Sequence, residues 1–211
     1  MNEVANRIIN YTKENSYVLG CTISKKINDF IYIYSVAPNT DISKESYDIF
    51  KLLYVLDAEI IFNSEKELVL KNGDIILTPK KVEYGIKSSV GGIYLSIDLR
   101  SDNMINEIIK SGEVFKLTDL IPYKDNSIVN LDIISNETLK VALMSFDEGC
   151  ALSEHRAPGE AIVFALDGEA IIGYEGKEYH IHQGEQFKFD KNGLHSVKAL
   201  TKFKMLLLLT L

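Results

Sequence analysis

Hydrophobic and polar positions alternate along most of the chain in short runs that end at Gly, Asn or Pro, a pattern typical of β-strands. The runs are rich in β-branched and aromatic residues. They predict strands at Phe30–Val36, Lys51–Phe62, Leu68–Leu70, Asp74–Thr78, Leu139–Phe146, Ala161–Ile172, Glu178–Ile181, Glu185–Phe189 and Phe203–Leu209. Many short strands separated by turns indicate an all-β sandwich or barrel.

Two segments instead have the apolar spacing of an amphipathic helix, Asn2–Glu14 and Asp102–Lys110. Ser101 is suited to cap the second segment, and Gly112 is suited to end it. We therefore expect an N-terminal helix and a short helical connector in the middle of the chain.

The two halves of the chain align with each other. Tyr34–Glu59 matches Met144–Glu169 without a gap, and after one inserted residue Lys71–Pro79 matches His182–Asp190. Such a repeat predicts two domains built from similar strands. The expected division is an N-terminal domain, the connector and a C-terminal domain, at residues 1–100, 101–112 and 113–211.

Composition narrows the class of protein. The chain has 211 residues, of which 46% are hydrophobic, and a net charge of −7, which argues against nucleic acid or an anionic membrane as partner. The most apolar run, Met205–Leu211, is too short to span a membrane, and the N-terminus lacks the apolar core of a signal peptide. Cys21 and Cys150 form no C-x-x-C motif, so we expect reduced thiols and a cytoplasmic location.

Two glycine–histidine patterns mark the second half. Gly149 is followed after five residues by His155, and Gly168 ends that stretch; Gly184 and His195 have the spacing of a second pattern. These residues resemble the two motifs of the cupin superfamily, and the second half resembles small single-domain conserved-barrel cupins of undefined function. Through the repeat, the whole chain is similar to a bicupin. The resemblance implies two tandem double-stranded β-helix (jelly-roll) barrels joined by the helical connector.

The resemblance also implies a site in the C-terminal barrel. Metal-binding cupins use three imidazoles and a carboxylate, and the positions that correspond here are His155, Ala157, Ala161 and His195. Glu160 lies next to the carboxylate position, but a shift of one residue turns a strand side chain to the opposite face. Two interpretations stay open. Either His155 and His195 hold a divalent transition metal (Fe, Mn, Ni, Cu or Zn), or no metal is bound. In the second case the four positions line a pocket for a small anionic or hydroxylated ligand, or the two histidines only bond to each other through water.

The turn before His195 departs from the second cupin motif. Asp190 stands where the family usually has proline, and Asn192 stands where it has glycine. These differences indicate a relaxed turn and put the placement of His195 in question.

The corresponding positions of the first half are Glu45, Tyr47, Lys51 and Tyr84. None is a histidine, and the positive charge of Lys51 would repel a metal ion. We expect the first barrel to be degenerate and free of metal.

His180 and His182 flank Ile181 in a predicted strand, so both side chains lie on one face. They are either a second metal pair or a solvent-facing pair beside an inward Ile181. The second interpretation is preferred, because the pair lies in the hairpin before the Gly184 turn.

Alternation along the strands assigns their faces. Ala157, Ala161, Val163 and Ala165 are expected to face the barrel interior. The opposite faces are apolar and need cover, from the other barrel or from a second chain in a homodimer. They consist of Leu52, Tyr54, Leu56, Ile162, Phe164 and Leu166.

Three functions remain compatible with these observations. The first is a small-molecule-binding protein, non-catalytic or weakly catalytic, with a two-histidine site. The second is a metal-dependent enzyme of the dioxygenase or isomerase type. The third is a structural dimerisation module without a ligand. Fold analogy alone names no substrate, because one fold hosts many chemistries.

Overall fold

The computed structural model describes residues 7–14, 22–100 and 105–211, which divide into two compact units. The C-terminal unit comprises residues 7–10, 105–106 and 118–211. The N-terminal unit comprises residues 11–14, 22–100 and 107–117. No helix in these described ranges is long and apolar enough to cross a membrane.

Strands make up nearly all of the regular structure. The first part of the chain contains β1 (Ile8–Ile9), α1 (Tyr11–Glu14), β2 (Thr22–Lys26), β3 (Ile31–Val36), β4 (Thr40–Glu45), β5 (Phe50–Asn63), β6 (Glu67–Lys71), β7 (Asp74–Leu77), β8 (Tyr84–Ser88), β9 (Gly92–Leu99) and β10 (Val114–Lys116). After a 3-10 turn at Leu117–Asp119 follow β11 (Ile128–Ser135), β12 (Leu139–Phe146), β13 (Ala151–Arg156), β14 (Glu160–Asp167), β15 (Glu169–Tyr174), β16 (Lys177–His182), β17 (Gln186–Phe189), β18 (Leu194–Ala199) and β19 (Phe203–Thr210). The all-β prediction is confirmed.

The C-terminal unit consists of two antiparallel sheets. One has the strand order β1-β17-β14-β19-β12-β11 and the other the order β13-β18-β15-β16. Buried residues of both sheets pack into one apolar cluster, for example Phe187 from the first sheet and Ile172 and Val197 from the second. The core therefore lies between the sheets, which fits the cupin jelly roll.

The N-terminal unit is organised around the long strand β5. Its first half pairs with β7 and β9, and its second half pairs with β6 and β8. Ala58, between the two halves, has a positive φ of 53°. In the C-terminal unit the matching position is Gly168, with a φ of 72°, which separates β14 from β15. The single strand β5 of the N-terminal unit thus corresponds to the two strands β14 and β15 of the C-terminal unit.

The strand pairings of the two units follow the same order. The series β3-β9-β5-β7 corresponds to β12-β19-β14-β17, and β4-β8-β5-β6 corresponds to β13-β18-β15-β16. The alignment of the two halves in sequence therefore coincides with matching hydrogen-bonded neighbours in each unit.

Both predicted helices differ from the structure. Ile8 and Ile9 form a strand that pairs with Phe187 and Gln186, and within the described part of the predicted helix only the single turn Tyr11–Glu14 is helical. In the connector, Ile105 forms a bridge with Ile134, and residues 107–109 form a turn and a bend. Tertiary pairing of the isoleucines overrides their helical spacing. The remaining parts of both predictions, residues 2–6 and 101–104, lie outside the described residues.

The apolar strand faces predicted to need cover are buried. Each of the six residues is less than 9% exposed: Leu52, Tyr54, Leu56, Ile162, Phe164 and Leu166. The homodimer stays a prediction.

Candidate functional site

The strands β13 and β18 bring His155 and His195 together. The two residues are direct cross-strand partners, and their ring centroids lie 4.2 Å apart at an interplanar angle of 52°. An irregularity in the pairing between Leu152 and His155 sets this register. The structure thus pairs the two histidines that the sequence singled out.

Each imidazole is oriented by its own backbone. His155 Nδ1 lies 2.9 Å from the carbonyl oxygen of Ser153, and His195 Nδ1 lies 2.9 Å from that of Gly193. A carbonyl only accepts hydrogen bonds, so Nδ1 carries the proton in both rings. In the neutral imidazole the lone pair is then on Nε2, which leaves Nε2 as an acceptor for another partner.

Burial keeps His195 in this neutral form. Removal from solvent lowers the pKa of His195, the hydrogen bond to Gly193 acts in the opposite direction, and a positive charge on His155 would lower the pKa further. His195 is 7% exposed, whereas His155 is exposed. At neutral pH the buried member of the pair is therefore a hydrogen-bond acceptor and not a cation.

The pair lines a cavity of about 210 Å³ in the C-terminal unit. Its polar lining residues are Asn130, Lys140, His155 and His195. Its apolar lining residues are Met144, Leu152, Val163, Phe189, Val197, Met205 and Leu207. The cavity is thus mostly apolar with a few polar groups, the composition typical of small-molecule sites.

Asn130 and Lys140 are residues of the site that the sequence analysis missed. Both contact Asp132: Asn130 Nδ2 donates to Oδ1 at 2.9 Å, and Lys140 Nζ lies 3.1 Å from Oδ2. Lys140 is the only charged residue of β12 and lies on the same face as Met144, which also lines the cavity. That isolated charge in an apolar strand was a signal in the sequence.

Ala157 and Ala161 do not line this cavity. Ala161 is buried in the apolar core with Val163 and Ala165, as the predicted strand faces require, and Ala157 packs against the same cluster. Of the residues expected inside, Val163 alone reaches the cavity.

The cavity residues do not supply the metal-ligand set that the resemblance implies. The lining contains two histidines and no Asp, Glu or Cys. Glu160 is exposed and its carboxylate lies 3.6 Å from Lys188 Nζ, so it points away from the core as expected. Mononuclear sites in proteins use at least three protein ligands as a rule. A metal here would need further ligands from substrate or solvent.

The turn before His195 accommodates its unusual residues. Asn192 has a positive φ of 61°, a conformation that asparagine tolerates better than most residues, in the place where the family has glycine. Asp190 is anchored by Arg7 Nη2 at 2.6 Å, and the Tyr174 hydroxyl lies 3.1 Å from the same oxygen. These contacts hold the turn, and His195 keeps its place opposite His155.

The N-terminal unit has no comparable cavity at the corresponding positions. Tyr47 donates to Glu45 at 2.6 Å, and Lys51 Nζ pairs with Asp98 at 2.9 Å while lying 4.2 Å from the Tyr47 ring centroid. Tyr84 packs against Tyr47, and only about 40 Å³ remains open there. Tyrosine rings and an ammonium group occupy the space of a ligand site.

His180 and His182 are exposed on either side of the fully buried Ile181, as the preferred interpretation stated. They contact Glu169, which the sequence analysis did not connect with them.

Comparison with known proteins adds a family match. Residues 142–210 match the family model described as a cupin domain. No match to the chain was found among curated proteins.

Solved structures share the fold. A cupin 2 conserved barrel domain protein from Leptotrichia buccalis has a TM-score of 0.85 and 24% identity, covering 98% of this chain and 97% of its own. A salicylate 1,2-dioxygenase from Pseudaminobacter salicylatoxidans has a TM-score of 0.63 and 11% identity, covering 85% of this chain and 70% of its own. At these identities the likeness is one of fold. The match to the cupin domain is confined to residues 142–210.

Proposed function

We propose that this protein binds a small organic molecule in the His155–His195 cavity without a resident metal. The observation that carries the proposal is the pair of imidazoles whose Nδ1 atoms are bound to backbone carbonyls, at the wall of an apolar cavity. The pair offers two hydrogen-bond acceptors to a ligand that carries donors.

The lining indicates the chemical class of the ligand. The Nε2 atoms accept from a hydroxyl, Lys140 and Asn130 favour an anionic or carbonyl group, and the apolar walls take a short hydrocarbon body. The cavity of about 210 Å³ lies below the roughly 300–1,000 Å³ of typical drug-sized sites. A small hydroxylated organic acid fits these requirements.

We propose further that the chain is a bicupin in which only the second barrel binds ligand. The matching strand pairings of the two units and the full-length likeness to the Leptotrichia buccalis protein support this organisation. The filled interior around Tyr47 and Lys51 supports a structural role for the first barrel.

A metal-dependent enzyme is the second candidate. Metal-ligating histidines commonly donate their other ring nitrogen to a backbone carbonyl or a carboxylate, and both cavity histidines donate Nδ1 in this manner. The missing carboxylate and third imidazole argue against it.

Thermal unfolding of tag-free, chelator-treated protein separates the candidates. If the proposal is right, small hydroxylated acids such as salicylate should raise the melting temperature without metal. Benzoate, which lacks the hydroxyl, is the matched control and should raise it less. A His155→Gln/His195→Gln variant should lose the response. If a response requires added Fe²⁺, Mn²⁺, Ni²⁺, Cu²⁺ or Zn²⁺, the enzyme candidate takes the lead.

A further inference from the structure

The outer face of the β15–β16 hairpin carries a second group of histidines, separate from the cavity. Glu169 begins β15, while His180 and His182 lie in β16, and one ligand atom from each of the three lies within 4.8 Å of the others. We propose that these three residues form a binding site for a divalent transition cation of the Zn²⁺ type.

The strand register creates the cluster. Glu169 and His182 are direct cross-strand partners, and His180 is two residues earlier, so its side chain projects from the same face. Ile181, between the histidines, points the other way and is fully buried. The cluster therefore lies on the solvent side of the sheet.

The donor atoms are close to the separation that one ion requires. Glu169 Oε2 lies 3.0 Å from His180 Nε2 and 3.8 Å from His182 Nδ1. Ligand atoms bound at about 2.0–2.2 Å to one Zn²⁺ lie roughly 3–3.5 Å apart. The His180–Glu169 distance already falls in this range, and a small rotation of the exposed His182 ring brings the other distance into it.

The backbone that carries the cluster is held in place. The Glu169 amide donates to Thr201 Oγ1 at 3.1 Å, and the Glu169 carbonyl accepts from the Leu200 amide at 2.9 Å. The His182 amide donates to Glu185 Oε2 at 2.9 Å. Ordering the site on metal binding thus involves side chains alone.

The chemistry of the donor set selects the cation. Imidazole nitrogen suits Zn²⁺, Cu²⁺ and Ni²⁺, while a single carboxylate does not suffice for Ca²⁺ or Mg²⁺, which prefer oxygen. Three protein ligands on an exposed face leave a position for water or for a donor from another molecule. Because the ligands come from both strands, a bound ion would clamp β15 to β16.

Isothermal titration of tag-free, chelator-treated protein with Zn²⁺ tests the site. We expect one Zn²⁺ per chain. Outer-shell partners alone typically contribute about 10–100-fold to metal affinity, so loss of a direct ligand in His180→Gln or His182→Gln should weaken binding by at least roughly tenfold.

Two controls make the result specific. Glu178→Gln changes an exposed residue of the same strand outside the cluster, and His155→Gln/His195→Gln changes the cavity; both should keep wild-type Zn²⁺ affinity. Protection of His180 and His182 from diethyl pyrocarbonate by Zn²⁺, read by mass spectrometry on the wild-type protein, requires no variant. No Zn²⁺ binding by the wild type, or binding that survives in the two cluster variants, would overturn the proposal.

Discussion

His155 and His195 face each other across β13 and β18 with their ring centroids 4.2 Å apart, and each ring donates Nδ1–H to the backbone carbonyl two residues earlier in the chain. The same local contact on both strands fixes the same tautomer in both rings. In the neutral form of both rings, Nε2 is therefore the free hydrogen-bond acceptor.

Acid should destabilise the protein through His195. Because burial holds its pKa below the ordinary 6.5, the unfolded chain binds more protons than the folded one once the pH falls below that value. The contribution of His195 to the free energy of unfolding is complete above pH 6.5 and declines as the pH falls toward the lowered pKa. Denaturant unfolding at several pH values should show a weaker decline in His195→Gln. An identical pH dependence in both proteins would contradict the assignment.

The apolar core of the C-terminal unit should be sensitive to truncation. Phe187 is fully buried and contacts the rings of Tyr174, Tyr179 and Phe189. Phe187→Ala should lower the free energy of unfolding by about 3–5 kcal/mol. Leu211→Ala, at a half-exposed position, is the control and should change it by less than about 0.5 kcal/mol. Equal effects of the two changes in denaturant unfolding would argue against the described core.

Removing one partner of the Lys51–Asp98 ion pair in the N-terminal unit should lower the free energy of unfolding more than replacing both partners by apolar residues. The side chains of Lys51 and Asp98 are 12% and 16% exposed. Lys51→Ala leaves the Asp98 carboxylate unpaired and should cost about 3–5 kcal/mol of unfolding free energy. Lys51→Met combined with Asp98→Leu should cost less than Lys51→Ala, because no charge remains buried. A double variant less stable than the single one would disprove this account of the unit's interior.

The anchor of the turn before His195 should contribute modestly. The hydrogen bond from Arg7 holds the pKa of Asp190 below its ordinary range, so this contribution is present above about pH 4 and is lost as the pH falls further. Because Asp190 is half exposed, Arg7→Gln should lower the free energy of unfolding by no more than about 1 kcal/mol at pH 7. A loss of several kcal/mol at pH 7 would show that the pair has another role.

The sequence predicted several strands that have a buried face, because apolar alternation records burial directly. The buried strands β8 and β9 were nevertheless missed. The prediction Leu139–Phe146 coincides with β12, and Lys51–Phe62 differs from β5 by one residue at each end. Exposed strands such as β4 and β13 lack that alternation, since most of their residues face solvent, and they were missed.

The helix predictions failed for a related reason. Two adjacent isoleucines are compatible with a helix or a strand, and pairing with Phe187 and Gln186 decides the matter in favour of a strand. Both partners are far from the isoleucines in the sequence, so no local pattern predicts this pairing.

The site was predictable in part. The spacing of glycines and histidines identified His155 and His195, because family motifs are local in sequence. Lys140 and Asn130 come from other strands, and Glu169 meets His180 only through the β15–β16 register. Such contacts depend on pairing between strands, which composition and spacing do not specify.

The central claim is that the cavity binds a small molecule without metal. The most direct test is the melting temperature of tag-free, metal-depleted protein against a panel of small hydroxylated organic acids, beside His155→Gln/His195→Gln. A ligand at 100 times its Kd should add about 2.7 kcal/mol of stability in the wild type and none in the variant. Three results would contradict the account: stabilisation only after a transition metal is restored, stabilisation that persists in the variant, or no stabilisation by any acid of the panel.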